Sequence, residues 1–228
     1  DLETFGFMEN TNNVIETGLV SSTKLNLSHD IKINDVKIGA STNSSAAAKA
    51  VAINAVTNET GVTADARTEL TVLANFTSSV FPPTSTDIEL NGDIIALNGT
   101  QDLAGIVKAF NDAAVGDVVA EANTDGTITF SSEAGVDIKL LDKGSGNGTT
   151  AMFTDGKDIH GEDVEKSSTG LYTGYGNLTL TSADGAPIKI SGTTAHIAHL
   201  GLIQQSEELK LTGSGISVDS LSNAQNSL

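Results

Sequence analysis

The feature that most constrains the fold is an internal repeat of a short strand, a two-residue polar turn and a second short strand. Residues 31–38 (Ile-Lys-Ile-Asn-Asp-Val-Lys-Ile) have this layout, and residues 88–95 repeat it with Asn91 and Gly92 at the turn. Asn-Gly is a favoured two-residue hairpin turn. A polar loop and a helical pattern follow each copy, so we predict two copies of one hairpin–helix module.

A helix is expected after each hairpin. The first is predicted over residues 45–58, with Gly61 ending it, and its apolar face comprises Ala48, Val51, Ala52, Ala55 and Val56. The second begins after Thr100 as N-cap, with Asp102 in the first turn, and its apolar face comprises Leu103, Ile106, Val107 and Phe110. Strands over residues 62–72 and 117–122 are predicted to follow the two helices.

The repeat also predicts how each module closes. Residues 126–132 with 135–140 are predicted to form a hairpin, and residues 176–182 with 185–190 form its counterpart, with Lys189 at the position of Lys139. The first module therefore finds its closing hairpin only after the complete second module. The simplest interpretation is that one module is inserted into a loop of the other, which is physically easy where loop ends lie close together.

The predicted fold class is therefore α+β, with two small β-rich modules of hairpin–helix–strand–hairpin type, the second inserted into the first. The stiff Phe81-Pro82-Pro83 stretch suits the outgoing linker. We expect residues 86–143 to fold alone. The predicted domains are a connecting segment (1–30), an inner module (31–75 plus 171–205), an inserted outer module (76–170), and a return segment with the start of a C-terminal helix (206–228).

Composition excludes several classes of function. The 228 residues carry 29 acidic and 12 basic side chains, a net charge of −17, which argues against nucleic acid or an anionic membrane as partner. The chain has no cysteine, so disulfides, thiolate nucleophiles and iron–sulfur clusters are excluded. Neither a signal peptide nor a long apolar span is visible, and Asp1 is interpreted as the boundary of a longer chain.

Candidate metal ligands are few. His196 and His199 stand three residues apart, a spacing compatible with metal ligation, but no acidic residue or cysteine nearby completes a site. We favour two solvated loop histidines. Residues 155–163 are acidic, but Lys157 and Ile159 occupy positions where a calcium loop needs oxygen ligands, which favours a solvated acidic loop.

The sequence also lacks catalytic motifs. No G-x-S-x-G elbow, phosphate-binding loop or dinucleotide fingerprint is present. We therefore predict no enzyme activity and no catalytic, cofactor-binding or metal-binding residues.

Several segments resemble bacterial flagellins. Residues 31–39, the helix end Ala52-Ile-Asn54-Ala-Val and the stretch Thr60-Gly61-Val62-Thr-Ala64 resemble the "IN" motif of that family. Residues 176–192 are similar to the flagellin segment that closes the same unit. Residues 216–228 resemble the start of the conserved C-terminal helix of flagellins.

The resemblance implies the variable, surface-exposed outer region of a filament subunit that is extracellular and supports motility. It implies other flagellin subunits as partners, through polymerising helices that lie mostly outside this sequence. We expect this fragment to be monomeric at neutral pH, and filaments to form without residues 76–170. The zinc peptidase found in some flagellins is excluded, since Gly161 follows His160 and no H-E-x-x-H occurs. A filament-cap or hook-associated protein, or a surface adhesin module, remains an alternative.

Overall fold

The computed structural model describes residues 13–75, 88–97, 102–142 and 152–202. The helices are α1 (Ala46–Asn54), α2 (Thr57–Thr60), α3 (Leu103–Ala113) and α4 (Thr194–Ile197), and a 3₁₀ helix (Ala198–Leu200) follows α4. The strands are β1 (Val14–Glu16), β2 (Lys32–Ile33), β3 (Val36–Lys37), β4 (Val62–Ala74), β5 (Ile88–Leu90), β6 (Asp93–Ile94), β7 (Val119–Ala122), β8 (Thr127–Ser132), β9 (Ile138–Asp142), β10 (Phe153–Asp158), β11 (Leu171–Gly174), β12 (Asn177–Ser182) and β13 (Ile190–Ser191). The fold is α+β and its strand pairs are antiparallel, which confirms the predicted class.

The long strand β4 organises the molecule. Its residues 62–67 pair with β12, and its residues 68–73 pair with β8. The main sheet has the order β1-β12-β4-β8-β7, and β10 also pairs with β4. Two smaller sheets have the orders β11-β9-β5-β6 and β13-β2-β3.

Two hydrophobic cores divide along β4. The first half of β4 contributes Val62 and Ala64 to an inner core formed with β2, α1 and β12. The second half contributes Leu70, Val72 and Ala74 to an outer core formed with α3, β8 and β9. The change of core therefore lies inside one strand. The predicted domain boundaries at 75/76 and 170/171 stay predictions, although β11, which follows the second boundary, pairs with β9 of the outer part.

The predicted repeat is visible in the hydrogen bonds of the two hairpin turns. The Asn34 amide donates to the Lys189 carbonyl (2.8 Å), and the Lys189 amide donates to Asn34 Oδ1 (2.9 Å). Asn91 and Lys139 repeat both bonds at 2.8 and 2.7 Å. Asn34 and Asn91 have positive φ values of 48° and 50°, which asparagine tolerates well at a turn. Both hairpins are thus confirmed.

A second repeated feature joins each helix to the following strand. Asn54, the last residue of α1, donates from Nδ2 to the Ala64 carbonyl (2.8 Å) and accepts from the Ala64 amide at Oδ1 (2.7 Å). Asn111 near the end of α3 makes the same pair of bonds with Ala120, both at 2.9 Å. Each asparagine side chain thus pairs with strand backbone as a neighbouring strand would, which satisfies polar groups of buried residues.

We expect Asn54→Ala and Asn111→Ala each to lower the free energy of unfolding by about 1–3 kcal/mol, because each leaves a buried amide and carbonyl without a partner. Urea titration measures this. The matched control is Asn58→Ala, on the exposed surface of α2, for which we expect a change within about 0.5 kcal/mol. Equal effects for Asn54→Ala and Asn58→Ala would show that the bonds to Ala64 contribute nothing.

The predicted helices are partly corrected. The first ends at Asn54 rather than continuing to residue 58, and α2 follows, ended by Gly61 (φ 68°) as predicted. Its predicted apolar face was partly right: Ala48 and Ala52 are buried, whereas Val51 is 66% exposed, and the buried face also includes Ala46, Ala50 and Ile53. In a helix where most residues are apolar, periodicity cannot select the face.

The second helix keeps its predicted face but not its cap. Asp102 is the N-cap, accepting from the Gly105 amide at 2.8 Å, and the predicted cap Thr100 lies outside the described residues. Ile106 and Phe110 are buried, with Leu103 and Val107 partly buried against the outer core. The Pro82-Pro83 linker and residues 206–228 also lie outside the described residues.

The two predicted closing hairpins were wrong. β8 pairs with β4 and β7, whereas β9 pairs with β5 and β11, so the chain crosses from one sheet to another at Gly135. The equivalent crossing at Gly185 takes the chain from β12, beside β4, to β13, beside β2. A strand–turn–strand pattern has the same appearance in a hairpin and in a crossing between sheets. Long-range pairing with β4 decides between them.

Candidate functional site

Three histidines meet where the segment after β1 packs against the last described residues. We call His29, His196 and His199 the histidine cluster. The ring of His29 stacks on that of His196 with 4.5 Å between centroids, and lies 4.9 Å from that of His199. His29 precedes β2, His196 lies on α4, and His199 lies on the 3₁₀ helix. The cluster therefore joins segments far apart in sequence.

Backbone contacts bring these segments together. The Gly18 amide donates to the Gly201 carbonyl at 2.9 Å, and the Ser21 amide donates to the His199 carbonyl at 3.4 Å. A Cβ on Gly201 would overlap the Gly18 carbonyl, so only glycine permits this approach. Gly201 also has a φ of 75° and ends the 3₁₀ helix. The segment after β1 and the last described segment thus lie side by side.

His29 is the buried member of the cluster, with 8% of its surface exposed. Its Nδ1 accepts a hydrogen bond from the Asn26 amide at 3.3 Å, so the neutral ring carries its proton on Nε2. Burial lowers the pKa of His29, and the nearby His196 lowers it further, while Asp30 opposes both effects. The structure therefore favours the neutral form of this ring.

Asp30 holds α4 against the incoming chain. Its Oδ1 accepts from the Thr193 amide (2.9 Å) and from His196 Nδ1 (2.7 Å), and its Oδ2 accepts from the Thr193 hydroxyl (2.7 Å). The bonds from His196 and Thr193 hold the pKa of the Asp30 carboxyl far below its usual range. The carboxylate is thus ionised at neutral pH and is the local counter-charge.

Lys49 lies beneath the cluster on α1 and is fully buried. Its Nζ donates to the backbone carbonyls of Ser21 (2.7 Å) and His199 (2.8 Å). Burial lowers the pKa of Lys49 to about 8, and the charge of Asp137 opposes this shift. The lysine is still mostly protonated at neutral pH and links the segment after β1 to the 3₁₀ helix.

His199 completes the cluster. Its Nδ1 lies 3.0 Å from the Ser21 hydroxyl. Burial lowers the pKa of His199, with further lowering by His29, Lys49 and His196. Both rings with lowered pKa thus lie near other groups that are positive when protonated.

The arrangement does not match a Ser-His-Asp triad. Ser21 contacts His199, whereas Asp30 contacts a different histidine, so no single imidazole links the hydroxyl to the carboxylate. In the described ranges, no three His, Asp or Glu side chains are placed to hold a metal ion. What the cluster can do is change its charge over the pH range in which histidine titrates.

The sequence-based interpretation of these histidines was wrong. His196 and His199 are helical and partly buried rather than solvated in a loop. The contribution of His29 was missed, and nothing local to it signals a contact with residues so distant in sequence. Lys49 had a signal: it is the only charged residue in the alanine-rich helix α1. An isolated charge inside an apolar helix indicates a specific buried partner.

The acidic side chains of residues 155–163 bind groups within the turn that these residues form. Asp158 Oδ1 accepts from the backbone amides of His160 (2.8 Å) and Glu162 (3.0 Å). Lys157 forms an ion pair with Asp163 at 2.6 Å. These side chains stabilise the turn after β10.

A second polar cluster lies in the outer core. The buried Asp142 carboxylate accepts from the Phe153 amide and from Lys166 Nζ, both at 3.0 Å. Lys166 also lies over the ring of Tyr172, 5.3 Å from its centroid. These contacts connect β9, β10 and β11, which indicates a structural role.

Comparison with known proteins adds little to this picture. None of the helices in the described residues is long and apolar enough to cross a membrane. No protein-family model matches the chain, and no curated protein sequence matches it. The flagellar cap protein FliD of Helicobacter pylori is a structural neighbour with 14% sequence identity and a TM-score of 0.22, covering 86% of this chain and 82% of that chain. A likeness at this level carries no argument about the fold or the function of this chain.

Proposed function

We propose that this chain is the surface-exposed outer region of a bacterial flagellin, a structural subunit of the flagellar filament without enzyme activity. It would act outside the cell, on a filament that supports motility. Its partners would be other flagellin subunits, contacted through the terminal helices of that family. A filament-cap or hook-associated protein is the alternative within flagellar proteins, and an adhesin module is the alternative outside them.

The observation that carries the proposal is that the first and last described segments both lie in the inner part of the fold. Gly18 and Gly201 are joined by a backbone hydrogen bond, while the inserted outer part is reached only through β4 and the return into β12. An outer part connected in this way is suited to project from whatever carries the inner part. This is the arrangement expected of a domain that decorates a filament.

The resemblance to flagellins involves residues that support the inner core. Asn34 fixes the first hairpin to Lys189, Asn54 binds the backbone of β4, and Gly61 ends α2 in a left-handed conformation. All three belong to the segments that resemble the family motif. Their roles explain why a sequence would need these residue types at this spacing.

The experiment is to delete part of the outer region from the full-length protein in the bacterium that produces it. Arg67 and Asn177 are direct partners in the β4–β12 ladder. Removing residues 68–174 leaves Tyr175 and Gly176 as a two-residue loop between them, and Tyr175→Asn gives that loop the favoured Asn-Gly sequence. We expect this variant to be exported and to form filaments that are thinner than those of the unmodified strain by electron microscopy.

Immunogold labelling of the unmodified protein tests the alternatives. We expect label along the whole filament. Label confined to the tip or to the hook junction would instead identify a cap or hook-associated protein. Absence of label from flagella would reject a flagellar role. The same conclusion would follow if the deletion variant were folded and exported but the filaments of that strain contained none of it.

A further inference from the structure

The histidine cluster joins two stretches of chain, the incoming segment (residues 18–30) and the outgoing segment (residues 193–202). Within the described residues, Asp30 and Ser21 of the incoming segment contact His196 and His199 of the outgoing segment. Lys49 of α1 binds a backbone carbonyl of each segment. The two short helices of the outgoing segment are also held by the buried side chains of Ile197 and Leu200 and by the backbone bonds from Gly18 and Ser21. Groups whose charge changes with pH thus contribute to holding the segment in place.

We propose that the histidine cluster is a pH-sensitive latch that holds the outgoing segment against the incoming segment near neutral pH and releases it when the rings are protonated. The proposal concerns the chain itself and stands whether or not the proposed flagellar function is correct.

Charge balance around the cluster is the first argument. The groups that face it are Asp30 from the incoming segment, Lys49 from α1, and the other two histidines from α4 and the 3₁₀ helix. Asp137, from the turn before β9, acts on Lys49. Protonation of His29 and His199 would place two positive rings, with centroids 4.9 Å apart, near the Lys49 ammonium. Like charges at this separation in a partly buried site repel strongly.

The hydrogen bond of His29 is the second argument. In the neutral ring, Nδ1 accepts from the Asn26 amide. Protonation puts a hydrogen on Nδ1, so that two donors then face each other and the bond is lost. The ring must move or the Asn26 turn must open. Either change disturbs the stacking of His29 on His196.

The direction of the pH effect follows from linkage. Because the pKa values of His29 and His199 are lowered in the closed state, the open state binds protons more tightly. The closed latch therefore has its full stability above the ordinary histidine pKa of about 6.5 and loses it as pH falls below that value. The lowered pKa of Asp30 acts in the same direction at more acidic pH.

Amide hydrogen exchange on the full chain tests the proposal. Protection factors, which correct for the intrinsic pH dependence of exchange, are measured at pH 7.5 and pH 5.0. We expect the Gly18 and Ser21 amides, which bond to the outgoing segment, to lose about tenfold or more in protection. The Ala64 and Asn91 amides, which bond within the inner and outer parts, are expected to keep theirs.

Two variants separate the charge of the rings from their packing. His29→Gln replaces the accepting Nδ1 with an amide oxygen that can accept from the Asn26 amide but cannot become positive, and His199→Gln does the same beside Ser21. We expect either variant to reduce the pH-dependent loss at Gly18 to about threefold or less. The matched control is His160→Gln, in the exposed turn after β10, which is expected to retain the full loss.

A ring titration of the unmodified chain by NMR gives an independent readout that does not depend on any variant folding. His29 and His199 should titrate below the ordinary value of about 6.5. Equal protection of Gly18 and Ser21 at both pH values would overturn the latch. An equal loss of protection at the Ala64 and Asn91 amides would also overturn it, because that result indicates global acid unfolding. So would an undiminished loss of protection at Gly18 in both His29→Gln and His199→Gln.

Discussion

Residues 86–143, expressed alone, will be unfolded, whereas residues 68–174 will fold and unfold cooperatively. The sequence repeat favours the shorter fragment as a complete module. In the structure, the outer core also includes residues from strands outside that fragment. These are Leu70 and Val72 from β4, Phe153 from β10 and Tyr172 from β11, all of which are buried. None of these side chains is present in the shorter fragment.

The size of the effect follows from burial. Each large apolar side chain that is fully buried contributes about 1.5–3 kcal/mol. A domain of this size has only about 5–15 kcal/mol of net stability, so losing four such residues removes most or all of it. The shorter fragment also loses the partner of β8 over residues 68–73, which leaves the β7–β8 pair as an isolated ribbon.

The measurement is a pair of nitrogen–proton NMR spectra with thermal melts of both fragments. The longer fragment has ends that lie close together, because a Cβ on Gly174 would be within 3.2 Å of the Glu69 carbonyl oxygen. A cooperative melt and dispersed amide signals from residues 86–143 would contradict this prediction and support a module independent of β4. An unfolded longer fragment would show that the outer core also needs the inner one.

Elements with strong local signals were predictable from the sequence. Asn34 and Asn91 mark their hairpins because a two-residue turn requires residues that tolerate positive φ. The face of α3 was predictable because its large apolar residues recur at helical spacing, with small residues and one lysine between them. The repeat itself was predictable, and the structure adds its physical content in the paired bonds of Asn54 and Asn111.

Features that depend on long-range pairing were not predictable. The sequence around Gly135 and Gly185 indicates strands and a turn, but the choice between a hairpin and a crossing depends on β4, β5 and β2. The histidine cluster has the same origin. His29 meets His196 only because the incoming and outgoing segments pack side by side, and no local pattern encodes that contact.

Gly135→Ala will be among the most destabilising single substitutions in the chain. Gly135 has a φ of 75°, and a Cβ there would overlap the Cβ of Ala66 and lie 2.9 Å from the Ala66 carbonyl carbon. Its own carbonyl accepts from the Ala47 amide at 2.9 Å, so the turn cannot retreat without losing a bond to α1. We expect the free energy of unfolding to fall by about 3 kcal/mol or more.

Gly185→Ala is the matched control that the repeat provides. Gly185 occupies the equivalent turn with the same φ of 75°, but a Cβ there would have nothing within 4 Å. Its substitution therefore measures the backbone cost alone, about 1–2 kcal/mol for a residue other than glycine in this conformation. The excess for Gly135→Ala is then the cost of moving the turn away from β4, where the inner and outer cores meet.

A double-mutant cycle with Ala66→Gly identifies the source of that excess. Removing the Cβ of Ala66 eliminates the worst overlap, so the double variant should be more stable than the sum of the two single effects predicts. Urea titration of the four proteins gives the coupling. Gly135→Ala and Gly185→Ala would contradict the prediction if they lowered the free energy of unfolding equally and the cycle showed no coupling. The turn at Gly135 could then move without cost, and the two cores would be joined by β4 without close packing at Gly135.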